Sequence, residues 1–345
     1  MKTIIIRTRS KSSELRVGEN WKNVIKLIPT ENLVIITDEN INKFYGSYFP
    51  NAPIIVIPSG EQSKNFRLVE KISKKILQLN IDRSGFILGI GGGVVCDLAG
   101  FVASIYLRGI DFGFISTSLL SQVDASVGGK NGINLGGAKN IIGNINQPQF
   151  IICDQSMLKT LPEDEYLSGL GELIKHAVIK DKSLLNLIKR SRAQILARDE
   201  EVMEKLVAKS VKIKADIVSK DEREGGLRRI LNFGHTFGHA IEVKYGYSHG
   251  ISVSIGMVMA AQFSLKKGMI TRGDLENITG VLDSFSLLPK SDISGKEIEK
   301  MLIHDKKRSG NNIHFVLLTS IGNSVTQPVK IEEISDFLKK WKGLR

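Results

Sequence analysis

The sequence is poor in cysteine, since only Cys96 and Cys153 occur among its 345 residues. Two cysteines cannot build the disulfide framework of a small secreted domain. No run of about 18 apolar residues is present, so no transmembrane helix is predicted. The apolar stretch that follows Met1 is too short for the core of a signal peptide. These absences predict a cytoplasmic protein without a membrane partner.

The sequence also lacks a block of basic residues interleaved with aromatic ones, although its formal net charge is +12. Lysine and arginine are scattered along the chain, so a nucleic-acid-binding protein is not predicted. The excess charge fits either a solvated lysine-rich surface or the steering of an acidic small molecule. The length favours two domains over a single core.

Short apolar runs alternate with helix-like segments in the first half of the chain. Strands buried on both faces are predicted for residues 33–37, 54–57, 86–90, 114–116 and 150–153. Between them, residues 66–79 carry an apolar stripe with helical spacing. The alternation predicts a parallel sheet whose ligand site lies at the carboxyl ends of the strands.

Three of these strand ends are polar or glycine-rich, at residues 37–40, 59–64 and 91–93. Gly91, Gly92 and Gly93 follow the third predicted strand and precede a helix. Their backbone amides could approach a diphosphate at the helix N-terminus, and Asp38 after the first strand could hold a ribose hydroxyl. A triple glycine is equally a generic tight turn, so these loops alone leave both interpretations open.

The second half of the chain is predicted to be helical. No strand is predicted between 162 and 289, and helices are predicted at 167–179, 184–197, 202–218, 230–243 and 253–267. Near the C-terminus, residues 313–318 predict one strand and 331–341 a last helix. The boundary is placed near 157–160, which divides the chain into domains 1–158 and 159–345.

Histidines are few and clustered, because three of the six fall within residues 235–249. His235, His239 and His249 lie downstream of Glu172 in the chain. Histidine and glutamate together form catalytic metal sites that keep one coordination position open. His235 and His239 are four residues apart and could bind a metal as a pair, but the glutamate usual after the first histidine is replaced by Thr236. The neighbouring lysines and arginines predict an anionic, oxygen-rich substrate.

Three longer segments carry a family resemblance. Residues 232–242 (Asn-Phe-Gly-His-Thr-Phe-Gly-His-Ala-Ile-Glu), 122–130 (Gln-Val-Asp-Ala-Ser-Val-Gly-Gly-Lys) and 137–143 (Gly-Ala-Lys-Asn-Ile-Ile-Gly) resemble the 3-dehydroquinate synthases of the shikimate pathway. The resemblance extends over nearly the whole chain. It implies an α/β N-terminal Rossmann-like NAD-binding domain and an all-α C-terminal metal-binding domain. It also implies a homodimer that acts on a small sugar phosphate.

The resemblance assigns roles to individual residues. A divalent metal, zinc or alternatively cobalt, would be held by Glu172, His235 and His249. The catalytic residues would be Lys130, Glu224, Arg228, Asn232 and His239. Substrate would be bound by Arg108, Asn140, Lys175, Lys214 and one of Lys306 and Lys307. NAD would be bound by Asp38, Asn40, Glu61, Lys64, Gly92, Gly93, Asp97, Thr117, Ser118, Asp124, Lys139, Thr160 and Leu161.

Two other activities are compatible with this architecture. A glycerol or glycerol-phosphate dehydrogenase would share the two cofactors but would release NADH. A related cyclase would act on a different sugar phosphate. The intact set of Lys130, Lys214, Arg228, Asn232 and His239 favours the synthase over both.

Overall fold

The computed structural model describes residues 1–8, 11–289, 293–306 and 312–344, with the backbone alone at 303–306. Its strands are β1 Lys2–Arg7, β2 Ser12–Val17, β3 Leu33–Asp38, β4 Ile54–Ile57, β5 Phe86–Gly91, β6 Asp111–Ser116, β7 Lys130–Leu135, β8 Ala138–Ile145, β9 Phe150–Cys153, β10 Asn312–Ser320 and β11 Asn323–Lys330. Its helices are α1 Glu39–Tyr45, α2 Phe66–Gln78, α3 Gly93–Ile105, α4 Glu163–Lys180, α5 Lys182–Arg190, α6 Arg192–Leu196, α7 Glu200–Lys220, α8 His235–Tyr245, α9 His249–Lys266, α10 Arg272–Ser284, α11 Gly295–Lys306 and α12 Ile331–Lys339. Within these ranges, no helix is long and apolar enough to cross a membrane.

The chain forms two compact units. Unit 1 contains Met1–Tyr166 and Ala197–Arg223, and unit 2 contains Leu167–Leu196 and Glu224–Arg345. Helix α7 therefore packs with the α/β part, although its place in the sequence falls inside the predicted C-terminal domain. Buried Met203 on α7 lies 3.1 Å from the hydroxyl of Tyr166, within unit 1.

Unit 1 is built on a seven-stranded sheet in the order β1-β2-β9-β6-β5-β3-β4. β1 is antiparallel to β2, and every other neighbouring pair is parallel. All six residues of β5 are buried, as expected for a central strand covered on both faces. The core includes Trp21, Phe86 and Phe150, with the last two rings stacked at 5.7 Å between centroids.

The strand order of this sheet reverses between β3 and β5. From β3 the chain continues to β4 on one side, and then returns to β5, β6 and β9 on the other side. In open α/β sheets, ligands bind outside the carboxyl ends of the strands at such a reversal. In this sheet, the reversal lies between Asp38, which ends β3, and Gly91, which ends β5.

Unit 2 is largely helical, with one antiparallel pair formed by β10 and β11. Helices α8 and α9 follow one another, and α9 is almost entirely buried. The rings of Phe237, Phe263 and Phe315 pack in edge-to-face contacts that join α8, α9 and β10. This apolar core gives the first residues of α8 and α9 a rigid support.

The five predicted strands of the first half are confirmed as β3, β4, β5, β6 and β9, and the predicted strand at 313–318 is confirmed as β10. Strands β1, β2, β7, β8 and β11 were not predicted. The helical second half is confirmed. Its predicted helix 184–197 is interrupted at Ser191, and 230–243 begins as a 3-10 turn, Leu227–Asn232, before α8.

Candidate metal centre and nucleotide edge

One carboxylate and two imidazoles converge inside unit 2. Glu172 lies on α4, His235 is the first residue of α8, and His249 is the first residue of α9. Nε2 of His235 is 3.6 Å from Oε1 of Glu172, and Nε2 of His249 is 3.4 Å from the same oxygen. Their ligand atoms all lie within 4.8 Å of one another. Three elements distant in sequence thus present one oxygen and two nitrogens to a common point.

Glycines allow the three helices to approach closely enough for this convergence. A Cβ atom on Gly250 would lie 2.2 Å from Cα of Ser168 on α4. A Cβ atom on Gly256 would lie 2.0 Å from the carbonyl oxygen of Gly234, the residue before α8. The amide of Gly250 donates to Oγ of Ser168 at 3.0 Å, which fixes the start of α9 against α4. Side chains at these glycines would separate the helices that carry the three ligands.

The electrostatics of the cluster are those of a site built for a cation. Glu172 is fully buried, and its pKa lies well below the usual value, because Lys175 and the two histidines outweigh the effect of burial. Burial, with the charge of Lys175, lowers the pKa of His235 to about 3. Burial opposes protonation of His249 as well, but the carboxylates of Glu172 and Glu242 prevail and raise its pKa to about 9.

These residues fit a divalent metal ion. Oε1 of Glu172 is buried and makes no hydrogen bond, while Nε2 of both histidines faces it. Two imidazoles and one carboxylate are a common ligand set for catalytic zinc, with a further position left for substrate. Among the described residues, the candidate ligand groups that include His235 do not include His239. The geometry therefore favours Glu172, His235 and His249 over the His235–His239 pair.

Further predicted site residues belong to unit 2 as well. Lys175 is buried and forms an ion pair with Oε2 of Glu172. The exposed ring of His239 has its centroid 5.2 Å from that of His235. Asn232 donates to Oε1 of Glu224 at 2.5 Å, and Glu224 holds a left-handed backbone with φ 60. Arg228 lies in the 3-10 turn Leu227–Asn232 and is 3% exposed.

A second group lies in unit 1 where the sheet reverses its strand order. Gly92 precedes α3, and no side chain caps the amides of that helix. A Cβ atom on Gly92 would lie 3.3 Å from Oγ of Ser118, and one on Gly93 would lie 3.1 Å from Cβ of Ala125. The amide of Thr117 donates to the carbonyl of Gly91 at 3.0 Å. The arrangement leaves the N-terminus of α3 open to a diphosphate, which fits a dinucleotide.

Three side-chain hydrogen bonds in unit 1 join residues that were predicted as site residues. Lys64 is buried and donates to Oδ2 of Asp97 at 2.6 Å and to Oδ1 of Asn140 at 2.5 Å. Burial raises the pKa of Asp97 to about 6, although Lys64 acts in the opposite direction. Lys214 on α7 donates to Oδ1 of Asp124 at 2.5 Å.

Asn134 was not predicted as a site residue, yet it forms hydrogen bonds with three residues that were: Glu61, Lys64 and Asn140. Its Nδ2 donates to Oε1 of Glu61 at 2.8 Å, and its Oδ1 accepts from the amide of Asn140 at 2.8 Å. Its own amide donates to the carbonyl of Lys64 at 2.8 Å. Asn134 thus links the β7–β8 hairpin to two residues predicted to bind NAD.

The remaining predicted residues lie at several places. Asp38 caps α1 by accepting from the amides of Asn40 and Ile41, and burial raises its pKa against these hydrogen bonds. Lys130 begins β7 and Lys139 lies on β8, both exposed, and Leu161 is half-buried. Oγ1 of Thr160 is 2.8 Å from the hydroxyl of Tyr45. The side chain of Lys306 and all of Lys307 lie outside the described residues.

Sequence reasoning missed one residue beside the metal centre. Oε2 of Glu242 is 3.2 Å from Nδ1 of His249. Glu242 stands seven residues after His235 and three after His239, so all three share one face of α8. That spacing was a usable signal in the sequence.

An α/β unit with a glycine-rich helix start at its strand reversal, together with a convergent His-His-Glu group, is typical of enzymes that use a nucleotide cofactor and a divalent metal. Comparison with known proteins narrows this class. The model of the 3-dehydroquinate synthase N-terminal domain matches residues 54–168, and that of the C-terminal domain matches residues 169–308. The 3-dehydroquinate synthase of Bacillus pumilus (strain SAFR-032) is 40% identical, with 99% of this chain and 98% of that protein covered. The chain belongs to the 3-dehydroquinate synthase family.

Solved structures support the fold assignment. The structure of a 2-deoxy-scyllo-inosose synthase complexed with carbaglucose-6-phosphate, NAD⁺ and Co²⁺ has a similar fold, with a TM-score of 0.85 and 23% identity. The match covers 98% of this chain and 100% of that chain. The 2-epi-5-epi-valiolone synthase of Streptomyces hygroscopicus subsp. jinggangensis 5008, with NAD⁺ and Zn²⁺ bound, has a TM-score of 0.86 at 23% identity, covering 96% of this chain and 97% of that one. At this identity the two structures establish the fold alone.

Proposed function

We propose that this chain is a 3-dehydroquinate synthase that converts 3-deoxy-D-arabino-heptulosonate 7-phosphate to 3-dehydroquinate and phosphate. The observation that carries the proposal is the convergence of Glu172, His235 and His249 in a chain of this family. Because phosphate leaves by elimination, the enzyme is a carbon–oxygen lyase. The cytoplasmic location stays a prediction.

The proposed cofactors are NAD and a divalent metal, with zinc favoured by the ligand set. When bound, NAD would take a hydride from C5 of the substrate and later return it, while the metal would act as a Lewis acid on the C5 oxygen. Glu172, His235 and His249 would hold the metal. The glycines at the start of α3 would receive the diphosphate of NAD, and Asp38 would hold a ribose hydroxyl.

The chain's own cations are suited to the two anionic ends of the substrate. Arg228 presents a planar guanidinium that can bind a carboxylate with two parallel hydrogen bonds. Lys130, Lys175 and Lys214 act as point charges for phosphate and hydroxyl oxygens. Lys175 and Lys214 already form ion pairs with carboxylates, Glu172 in unit 2 and Asp124 in unit 1.

Proton transfer in the proposed reaction falls to groups of unit 2. A ketone at C5 acidifies the hydrogen on C6, and loss of that proton expels phosphate from C7. Asn232 orients the carboxylate of Glu224 by its hydrogen bond at 2.5 Å, and His239 is exposed next to His235. Glu224 and His239 are the proposed proton carriers, with the leaving phosphate as an additional base. Ring opening and an aldol step within the one bound molecule complete the carbocycle.

Release of inorganic phosphate from the heptulosonate phosphate tests the proposal most simply. The full chain, supplied with NAD and zinc, should release phosphate and form 3-dehydroquinate in equal amounts. A glucose phosphate and glycerol phosphate serve as the comparison substrates. Preferred turnover of either one would assign the chain to a different cyclase or to a dehydrogenase.

We expect no NADH to accumulate while phosphate is released. Oxidation and reduction occur at the same carbon, so each hydride that NAD takes returns to the substrate within one turnover. Following NADH absorbance and phosphate in the same sample checks this expectation. A rise in NADH that keeps pace with product would favour the dehydrogenase.

The proposed homodimer places Arg108 at the site of the partner subunit. Leu107 and Arg108 are consecutive exposed residues with left-handed backbones, φ 48 and φ 70, in the turn before β6. Non-glycine residues in this conformation are strained, and such strain is common in segments that serve function. We therefore expect Arg108→Ala to lower activity.

Mixing two inactive variants tests whether Arg108 crosses between subunits. Arg108→Ala mixed with His235→Ala should recover about a quarter of wild-type activity, because half of the dimers are mixed and each holds one intact site. Differently tagged subunits verify that exchange has occurred. Exchange without recovery would place Arg108 in its own subunit's site or in none.

A further inference from the structure

The orientation of His249 depends on a side chain, whereas that of His235 depends on the backbone. Nδ1 of His235 donates to the carbonyl of Phe233 at 3.4 Å. Nδ1 of His249 donates instead to the carboxylate of Glu242, with 3.2 Å to Oε2. An ionised carboxylate can only accept, so Nδ1 of His249 carries a proton, and Nε2 is the nitrogen left for a metal. Nε2 then faces Glu172 at 3.4 Å, which is the orientation a metal ligand needs.

The ring of His249 is less enclosed than that of His235. The ring is 31% exposed, against 15% for His235. His249 is the first residue of α9, and Ser248 before it gives that helix no side-chain cap. The preceding turn passes through Gly246 in a left-handed conformation. A half-exposed ring at the start of a helix is free to rotate unless a neighbour fixes it.

Glu242 is itself firmly placed. It lies in the last turn of α8, where its carbonyl accepts the amide of Gly246 at 3.0 Å. Its side chain is 17% exposed. Because α8 also carries His235, one helix supplies a metal ligand directly and orients a second ligand on the next helix.

We propose that Glu242 is a positioning residue that holds His249 in the tautomer and ring orientation required for metal binding. The inference rests on the proposed metal site. A carboxylate behind a ligating histidine fixes the ring and strengthens its donor nitrogen, and loss of such a partner costs about 10- to 100-fold in metal affinity. Glu242 touches the metal only through His249, so its removal weakens the site without deleting a ligand.

Zinc transfer to a chromophoric chelator measures this effect directly on the zinc-loaded full chain. We expect Glu242→Ala to bind zinc about 10- to 100-fold more weakly than wild type, and Glu242→Gln to lose less, because its amide oxygen still accepts from Nδ1. Val243→Ala is the matched control, since Val243 is the next residue of α8 and is 72% exposed. It should leave zinc affinity unchanged.

Two further measurements separate the possible outcomes. Thermal unfolding with zinc and in excess chelator should show a larger loss of stability for Glu242→Ala when zinc is bound, because the proposed contact acts on metal binding. Wild-type zinc affinity in Glu242→Ala would overturn the inference, and so would an equal loss in Val243→Ala. If the wild-type chain bound no zinc, or bound it as well after His235→Ala, the proposed metal site itself would fail.

Discussion

His235→Ala should remove the bound metal and lower turnover by at least about a hundredfold. The substitution leaves Glu172 and His249 as the only two ligands of the proposed set. Lewis-acid stabilisation of a developing charge is worth several kcal/mol, and about 1.4 kcal/mol corresponds to each tenfold in rate. Elemental analysis of the purified variant, together with phosphate release at saturating substrate, measures both losses.

The matched control for this prediction is His314→Ala. His314 is an exposed residue of β10 and makes no contribution to the proposed ligand set. It should retain both metal and activity. Full activity of His235→Ala after treatment with chelator would show that the reaction does not need the metal.

Arg228→Ala should weaken substrate binding by about 30-fold to several thousand-fold while NAD binding changes little. Arg228 is 3% exposed, so its charge acts in a setting with little water. Loss of a charge-assisted contact costs about 2–5 kcal/mol when the partner charge stays buried. The NAD residues belong to unit 1, whereas Arg228 belongs to unit 2.

Calorimetry with substrate and NAD as separate ligands tests this division. Arg272→Ala is the control, because Arg272 is an exposed arginine of unit 2 whose ion pair with Glu276 lies on the surface of α10. It should change neither affinity. An equal loss of both ligands in Arg228→Ala, with folding intact, would contradict the assignment of substrate and NAD to different residues.

The strands that could be predicted are those whose residues are buried on both faces. β3 and β5 are continuous apolar runs, and this composition is sufficient to predict them as buried strands. β7 and β8 contain Gly132 and Gly143 and several asparagines, and β8 is mostly exposed, so neither has an apolar pattern. Their pairing depends on close contact of the two backbones: a Cβ atom on Gly143 would lie 2.3 Å from the carbonyl oxygen of Asn131.

The sequence could propose the residues of the metal site but not their geometry. Clustered histidines pointed to a metal, and the resemblance selected Glu172, His235 and His249. Their convergence depends on the packing of α4, α8 and α9 through Gly250 and Gly256, which no local pattern encodes. The division into two units could not be predicted from local patterns either. Helix α7 belongs to unit 1, although it follows a segment of unit 2 in the sequence.

Helix α10 was not predicted, although the sequence contains a signal for its N-terminus. Thr271 accepts from the amide of Asp274, and the carboxylate of Asp274 accepts from the amide of Thr271. This reciprocal cap is readable as a threonine followed three residues later by an acidic residue. The helix was missed because its apolar residues are sparse near the start.

Turnover with NAD as the limiting component tests the central claim most directly. The zinc-loaded chain is given heptulosonate phosphate in large excess over NAD, and phosphate and 3-dehydroquinate are followed to completion. A synthase that regenerates its cofactor should convert all of the substrate with NAD unchanged at the end. Conversion that stops when one equivalent of NAD has become NADH would contradict the account.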